Sequence, residues 1–252
     1  MHLSSNPAVG FATVLHVELF KLRRSLALLL ALIAPSLIAL FVFFNLLRME
    51  KPMAWSMSLQ SSAAIWAFFM LPMSVTALTA LVAQMEHSAR SWDGLHSLPL
   101  PRWQLYAAKL ICVLGLVLAM SLCLAILTPL AVALASQFNP AAAASGALEM
   151  APYLGLLGRI FLAAWLVIAV QLWMALRFSS FVPALALGIG GTFFAVVATS
   201  AKVGALMPWQ IPVNQLAADP ARADFSLALG FLGGCLILAM MLRQLARREW
   251  LG

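Results

Sequence analysis

Charge is scarce in this chain: 9 % of its 252 residues are Asp, Glu, Lys or Arg, against about 25 % in a soluble domain. The chemistry-bearing side chains therefore stand out by position. Glu18, Lys21, Arg23 and Arg24 lie in VELFKLRRS (17–25), and Glu86, Arg90, Asp93, Arg102 and Lys109 lie in EHSARSWDGLHSLPLPRWQLYAAKL (86–110) together with Trp92 and Leu95. Arg159 stands apart from both groups. Glu18 and Lys21, three apart, can pair on one helix face. Trp and Arg among charges suit a surface that docks another protein. Other chemistries find no residues to carry them. There is no H-E-x-x-H, no G-x-S-x-G and no G-x-x-x-x-G-K-[ST], so zinc hydrolysis, a serine-nucleophile elbow and a phosphate loop are all missing. Cys112, Cys123 and Cys235 lack metal-ligand spacing and read as small buried hydrophobes.

These charges sit at the edges of long apolar runs. Hydrophobic residues make up 64 % of the chain, and a bilayer is crossed by about 20 residues of helix. The runs do not alternate as barrel strands would, so the fold class is all-α, a polytopic membrane protein. Six transmembrane helices are predicted, over about 25–47, 59–85, 108–136, 153–176, 178–200 and 225–242, in one domain spanning 1–252. The first run is too long for a cleavable signal and lacks a cleavage site. Basic residues set the orientation. Lys21, Arg23, Arg24, Arg90, Arg102, Lys109, Arg177, Arg243, Arg247 and Arg248 fall on one side, and only Arg48, Lys51, Lys202 and Arg222 on the other. Both termini and the 86–110 stretch are thereby expected in the cytoplasm. The net charge of +7 is spread over span ends, which argues against nucleic acid as a partner. Pro35, Pro72, Pro129 and Pro183 lie within predicted spans and can kink them. Gly230 and Gly234 in GFLGG permit close helix approach, within the subunit or at a dimer seam.

Residues 10–25 read as an interfacial helix, with Phe11, Ala12, Leu15, Leu19 and Leu22 on one side and His16, Arg23 and Arg24 toward the other. Glu18 projects into the apolar face, where a lone carboxylate is costly; Lys21 or a residue of a neighbouring span is its expected partner. The 86–110 stretch reads as a helix from Glu86 to about Ser97, ended at the Leu-Pro-Leu-Pro, with a new helix from Arg102. It is either a solvated connection with headgroup-level tryptophans or a docking helix. Asp93 could cap a shorter version of it. Arg159 either snorkels to the outer headgroups or meets an anionic substrate or lipid. No Asp, Glu or His lies within the spans to relay a proton, so uphill transport would need energy from another polypeptide.

The pair VELFKLRRS and EHSARSWDGLHSLPLPRWQLYAAKL resembles the permease subunits of type-2 ATP-binding-cassette (ABC) transporters. LMPWQIP (206–212) is similar to the Pro-Trp-x-x-Pro of their bacitracin- and lantibiotic-resistance branch. That resemblance implies an elbow helix over 10–24 bearing Glu18, Lys21, Arg23 and Arg24. It implies a cytoplasmic coupling helix over 86–98 between spans 2 and 3, transmitting the stroke through Glu86, Arg90, Trp92, Asp93, Leu95 and Arg102. An outer re-entrant segment between spans 5 and 6 would gate the exit with Pro208, Trp209 and Pro212. The PLPR turn and Asp93-Gly94 depart from the pattern. The implied assembly has two permeases, identical or paralogous, and two copies of a separate ABC ATPase that holds ATP and Mg, in a bacterial inner membrane. This chain would bind no cofactor and be no enzyme. Its cargo would be amphipathic or lipid-embedded, an antimicrobial peptide or antibiotic. The rivals are a secondary transporter or channel, and a membrane assembly factor, each without an ATPase.

Overall fold

A computed structural model describes residues 10–87, 101–197, 204 and 206–247, and among these it contains helices and no β-strand. Helix α1 (Phe11–Leu22) leads through Arg23–Ser25 into α2 (Leu26–Leu47). The next helical run is α3 (Trp55–Ile65), a π-helical turn (Trp66–Met70) and α4 (Leu71–His87). Helix α5 is Arg102–Phe138, α6 Met150–Ala163, α7 Trp165–Arg177, α8 Val182–Val197 and α9 Pro220–Arg247. Among the described residues five runs are long and apolar enough to cross a membrane: Leu26–Leu47, Trp55–His87, Arg102–Phe138, Met150–Arg177 and Pro220–Ala246.

Five of the six predicted spans coincide with these runs, and the differences have local causes. The fifth, placed at 178–200, appears as the 16-residue α8, about 24 Å long at 1.5 Å per residue. It starts at Val182, so Pro183 occupies its first turn, where no N–H is missed, and does not kink it. Pro35 and Pro129 lie inside uninterrupted helices. Pro72 instead follows directly on the π turn; an α-helical turn there would set its ring against the carbonyl of Phe68, four residues back, and the wider turn relieves that clash.

Burial follows from which faces meet. Helix α2 packs most extensively on α5, and α9 on α7. Helix α2 buries Ala27, Ala31, Ala34 and Ile38 and leaves Leu29, Leu32, Leu40 and Phe41 exposed, as a helix bordered by lipid would. At its C-terminus the Asn139 amide donates to the carbonyls of Leu46, Leu47 and Met49, where a helix end runs short of intrahelical donors. Gly230 and Gly234 let α9 lie against the junction of α6 and α7: an added Cβ would collide with the Ala163 carbonyl oxygen at the first and stand 2.7 Å from Trp165 at the second. Close approach at GFLGG is thus made within the subunit. Between α4, α7 and α8, the buried Gln171 amide satisfies the Thr76 hydroxyl, the Ala184 carbonyl and the Gly188 N–H at 3.0–3.2 Å when its nitrogen faces Ala184.

Candidate functional site

Helix α1 turns Val14, Glu18 and Leu22 inward, at steps of four. This stripe differs from the predicted face: Leu15 is half-buried, while Leu19 is exposed, with Val17 and Phe20. What rotates it is the destination of the carboxylate. Val14 packs with Leu105 and Ala108 of α5, and Phe11 stacks on Trp103. That contact brings Glu18 to Lys109, one turn further along α5.

Four charged groups then close a ring. Lys109 Nζ donates to Glu18 Oε2 at 2.8 Å and to Glu86 Oε1 at 3.0 Å. Lys21 Nζ donates to Glu18 Oε1 at 2.8 Å and to Glu86 Oε1 at 2.7 Å. Signs alternate around the ring and sum to zero. Lys109 is fully buried, Glu18 and Glu86 nearly so, and only Lys21 reaches the surface, its side chain 32 % exposed. Burial lowers the affinity of Lys21 for its proton, but the hydrogen bonds to Glu18 and Glu86 outweigh it and leave its pKa above the usual lysine value. Removing any one member would strand a charge inside the protein, which costs far more than a surface pair is worth.

The ring ties three elements at one point: the middle of α1, the last turn of α4 and the first turns of α5. The connection over 88–100 springs from that point. Glu86 is a buried member of the ring, 2 % exposed, its carboxylate held by the two lysines. Arg90, Trp92, Asp93 and Leu95, and with them the predicted helix beyond His87, lie outside the described residues. Arg102 opens α5 and is half-buried. Arg23 and Arg24 are exposed at the end of α1, Arg23 over the Phe20 ring. Sequence reasoning paired Glu18 with Lys21, but gave Lys109 only a charge and a place at the mouth of a span. The signal available was two acids and two lysines, all at span edges on one predicted side.

At the opposite end, residues 206–217 fold into turns and a short 3-10 helix (Val213–Leu216) packed among α6, α8 and α9. Trp209 fills the space over Gly191, where an added Cβ would run into the indole. Ile211 lies against Gly230. Pro212 and Trp209 are buried and Pro208 half-buried. Arg159 pairs with Asp224 and donates to Gln215 Oε1 at 3.2 Å. The sequence left this acid unassigned because it lies 65 residues away. Asn214 donates to Ser226 at 3.1 Å and accepts from Arg222.

Among the described residues no cluster of His, Cys, Asp and Glu could hold a metal ion. The described residues thus hold a ring of paired charges at one end, packed turns at the other, and apolar helices between. No curated protein matches the chain. A family model described as "ABC-2 family transporter protein" matches residues 14–196. That match takes in α1, the charge ring and the bundle as far as α8, and the chain belongs to the ABC-2 transporter family.

Proposed function

We propose that the chain is the permease subunit of an ATP-driven exporter, moving an amphipathic or membrane-embedded cargo with energy from a separate ATPase. The observation that carries this reading is the ring of Glu18, Lys21, Glu86 and Lys109 at the root of the 88–100 connection, within a chain of the ABC-2 family. A force applied to that connection reaches α1, α4 and α5 together, since the ring joins them by short charge-assisted bonds. Arg90, Trp92, Asp93 and Leu95 would meet the ATPase, with Arg102 beside them. Glu86 would act behind that surface by fixing its base.

In the same reading α1 is the elbow, with Val17, Leu19 and Phe20 in the inner interface and Arg23 and Arg24 at the headgroups. Residues 206–217 are the re-entrant outer plug that holds Pro208, Trp209 and Pro212. The chain crosses the inner membrane six times with both termini inside. Two permeases, identical or paralogous, assemble with two ATPases that hold ATP and Mg. Antimicrobial peptides and related antibiotics are the proposed cargo, on the Pro-Trp-x-x-Pro of the outer segment.

Affinity purification from native membranes tests the partnership. An ATPase with a Walker A motif should co-purify, and Arg90→Glu with Trp92→Ala should release it while the permease stays folded. Transport that persists with no ATPase bound would instead establish a secondary carrier or channel. A chain that co-purifies with no ATPase and moves nothing would point to an assembly factor.

A further inference from the structure

At the end of the bundle away from the charge ring, a cavity of about 390 Å³ opens between the start of α3 and the approach to α6. Backbone bonds tie its two walls together. The Trp55 N–H donates to the Ser145 carbonyl at 3.1 Å, and the Ser145 N–H to the Met53 carbonyl at 3.0 Å. Gly146 follows at a φ of 83°, a conformation glycine adopts freely, in the turn that leads to Glu149 and α6. Leu59 and Tyr153 form the buried side. The Tyr153 hydroxyl is already engaged, with Ser62 at 2.8 Å and Thr128 at 3.3 Å. At the mouth the polar side chains are uncommitted. Ser56, Gln60 and Glu149 are exposed lining residues, and none has a side-chain hydrogen bond or ion pair among the described residues. Glu149 is the one charged residue of the lining, which holds no Lys, Arg or His. Half-buried Trp55 stands in the same lining.

A carboxylate with no cation beside it selects a positive charge, and an indole in the same cavity adds cation–π attraction. The Ser56 hydroxyl and the Gln60 amide oxygen are acceptors that serve a ligand with N–H donors and do nothing for a quaternary ammonium. Leu59, Pro152 and Leu156 in the lining suit a methylene stem. A zwitterionic lipid headgroup fits poorly, because no basic side chain here would meet its phosphate. We propose that this cavity binds a primary ammonium or guanidinium group on an apolar stem, as carried by a basic peptide side chain or a simple alkylamine. Glu149 pairs with the charge, Trp55 covers it, and Ser56 and Gln60 accept its N–H groups. Nothing in this proposal depends on an ATPase or on transport, so its failure would leave the transport reading intact.

The full-length protein in phosphatidylcholine nanodiscs is titrated with acetyl-leucyl-lysyl-leucinamide, with the same peptide carrying norleucine in place of lysine, and with n-pentylamine. Dissociation constants are read by saturation-transfer NMR against empty nanodiscs. The lysyl peptide should bind about three- to tenfold more tightly than its uncharged analogue, the combined worth of a solvent-screened ion pair and an exposed cation–π contact. That advantage should shrink as salt rises from about 0.05 to about 0.5 M. Glu149→Gln, a change at an exposed position, should bring the two peptides close to parity, and Trp55→Phe should remove part of the preference. Trimethylation of the lysine should weaken binding. Melting curves establish that each variant is folded. If n-pentylamine binds as tightly as the lysyl peptide, the ligand is a simple amine; if the peptide binds more tightly, it is a basic side chain, and in both cases the assigned chemistry stands. A norleucyl or trimethyllysyl peptide that binds as tightly as the lysyl one, or a preference for lysine undiminished in folded Glu149→Gln, would overturn the proposal.

Discussion

Lys109 is a lysine with no exposed surface in a chain that is 64 % hydrophobic. It is tolerated because two carboxylates stand within 3.0 Å of its ammonium group. Lys109→Met should therefore destabilise the protein by about 3–5 kcal/mol, the cost of leaving Glu18 and Glu86 short of a buried partner. Lys21→Met should cost less, since water reaches that side of the ring. Thermal unfolding followed by tryptophan fluorescence orders the two, and equal losses would mean the ring is not asymmetric in burial. The direction with pH follows from Lys21. Its folded-state pKa lies above the ordinary lysine value of 10.5, so its contribution is complete below about pH 10.5 and declines as pH rises through the higher folded value. The melting-temperature gap between the natural protein and Lys21→Met should be flat from about pH 8 to 10 and narrow above that range.

Helices here are held by glycine contacts that let bulky side chains take the space a Cβ would fill. Trp209 over Gly191 is one such contact, and it predicts a non-additive pair. Gly191→Ala should destabilise by about 1–3 kcal/mol through overpacking against the indole. In a Trp209→Ala background the same change should cost little, because the clashing ring is gone; equal costs in the two backgrounds would show that the indole does not sit on α8. This contact also marks where sequence reading reaches its limit. The spans were legible because an uncharged apolar run of about 20 residues is stable as a helix in lipid and costly in water, and Gly230 and Gly234 were legible as sites of close approach. The break between α6 and α7 at Ala164 was not, since no Gly or Pro announces it there, and Pro72 marked an irregularity in the second span without giving its form as a π turn at Trp66–Met70. Glu18 asked for a partner from the sequence alone. That Lys109 and Glu86 would complete the ring depends on how α1 rolls on α5, which no local spacing encodes.

At the scale of the whole molecule, the open quantity is the number of crossings, and α8 decides it. Ser179, just before α8, lies near the end of α4, where the Gln84 amide meets its carbonyl at 3.4 Å. After α8, Gln215 and Asp224 meet Arg159 in α6. The chain therefore passes from the end of the bundle that carries the charge ring to the end that carries the plug, although α8 has only 16 residues. Buried turns at 206–217 make up for the short helix, with Asn214 and Gln215 bonded to Arg159, Ser226 and Ala223. Six crossings follow if both ends reach water on opposite sides of the membrane. Single cysteines in a background without the three native ones test this with an impermeant maleimide on intact cells. His16→Cys should label only after permeabilisation, whereas Ala141→Cys, on the exposed turn after α5, should label at once. Ala218→Cys, exposed just before α9, is the discriminating site. Labelling together with position 141 requires that α8 crosses; labelling together with position 16 would leave five crossings and place the plug, with its tryptophan, on the cytoplasmic side.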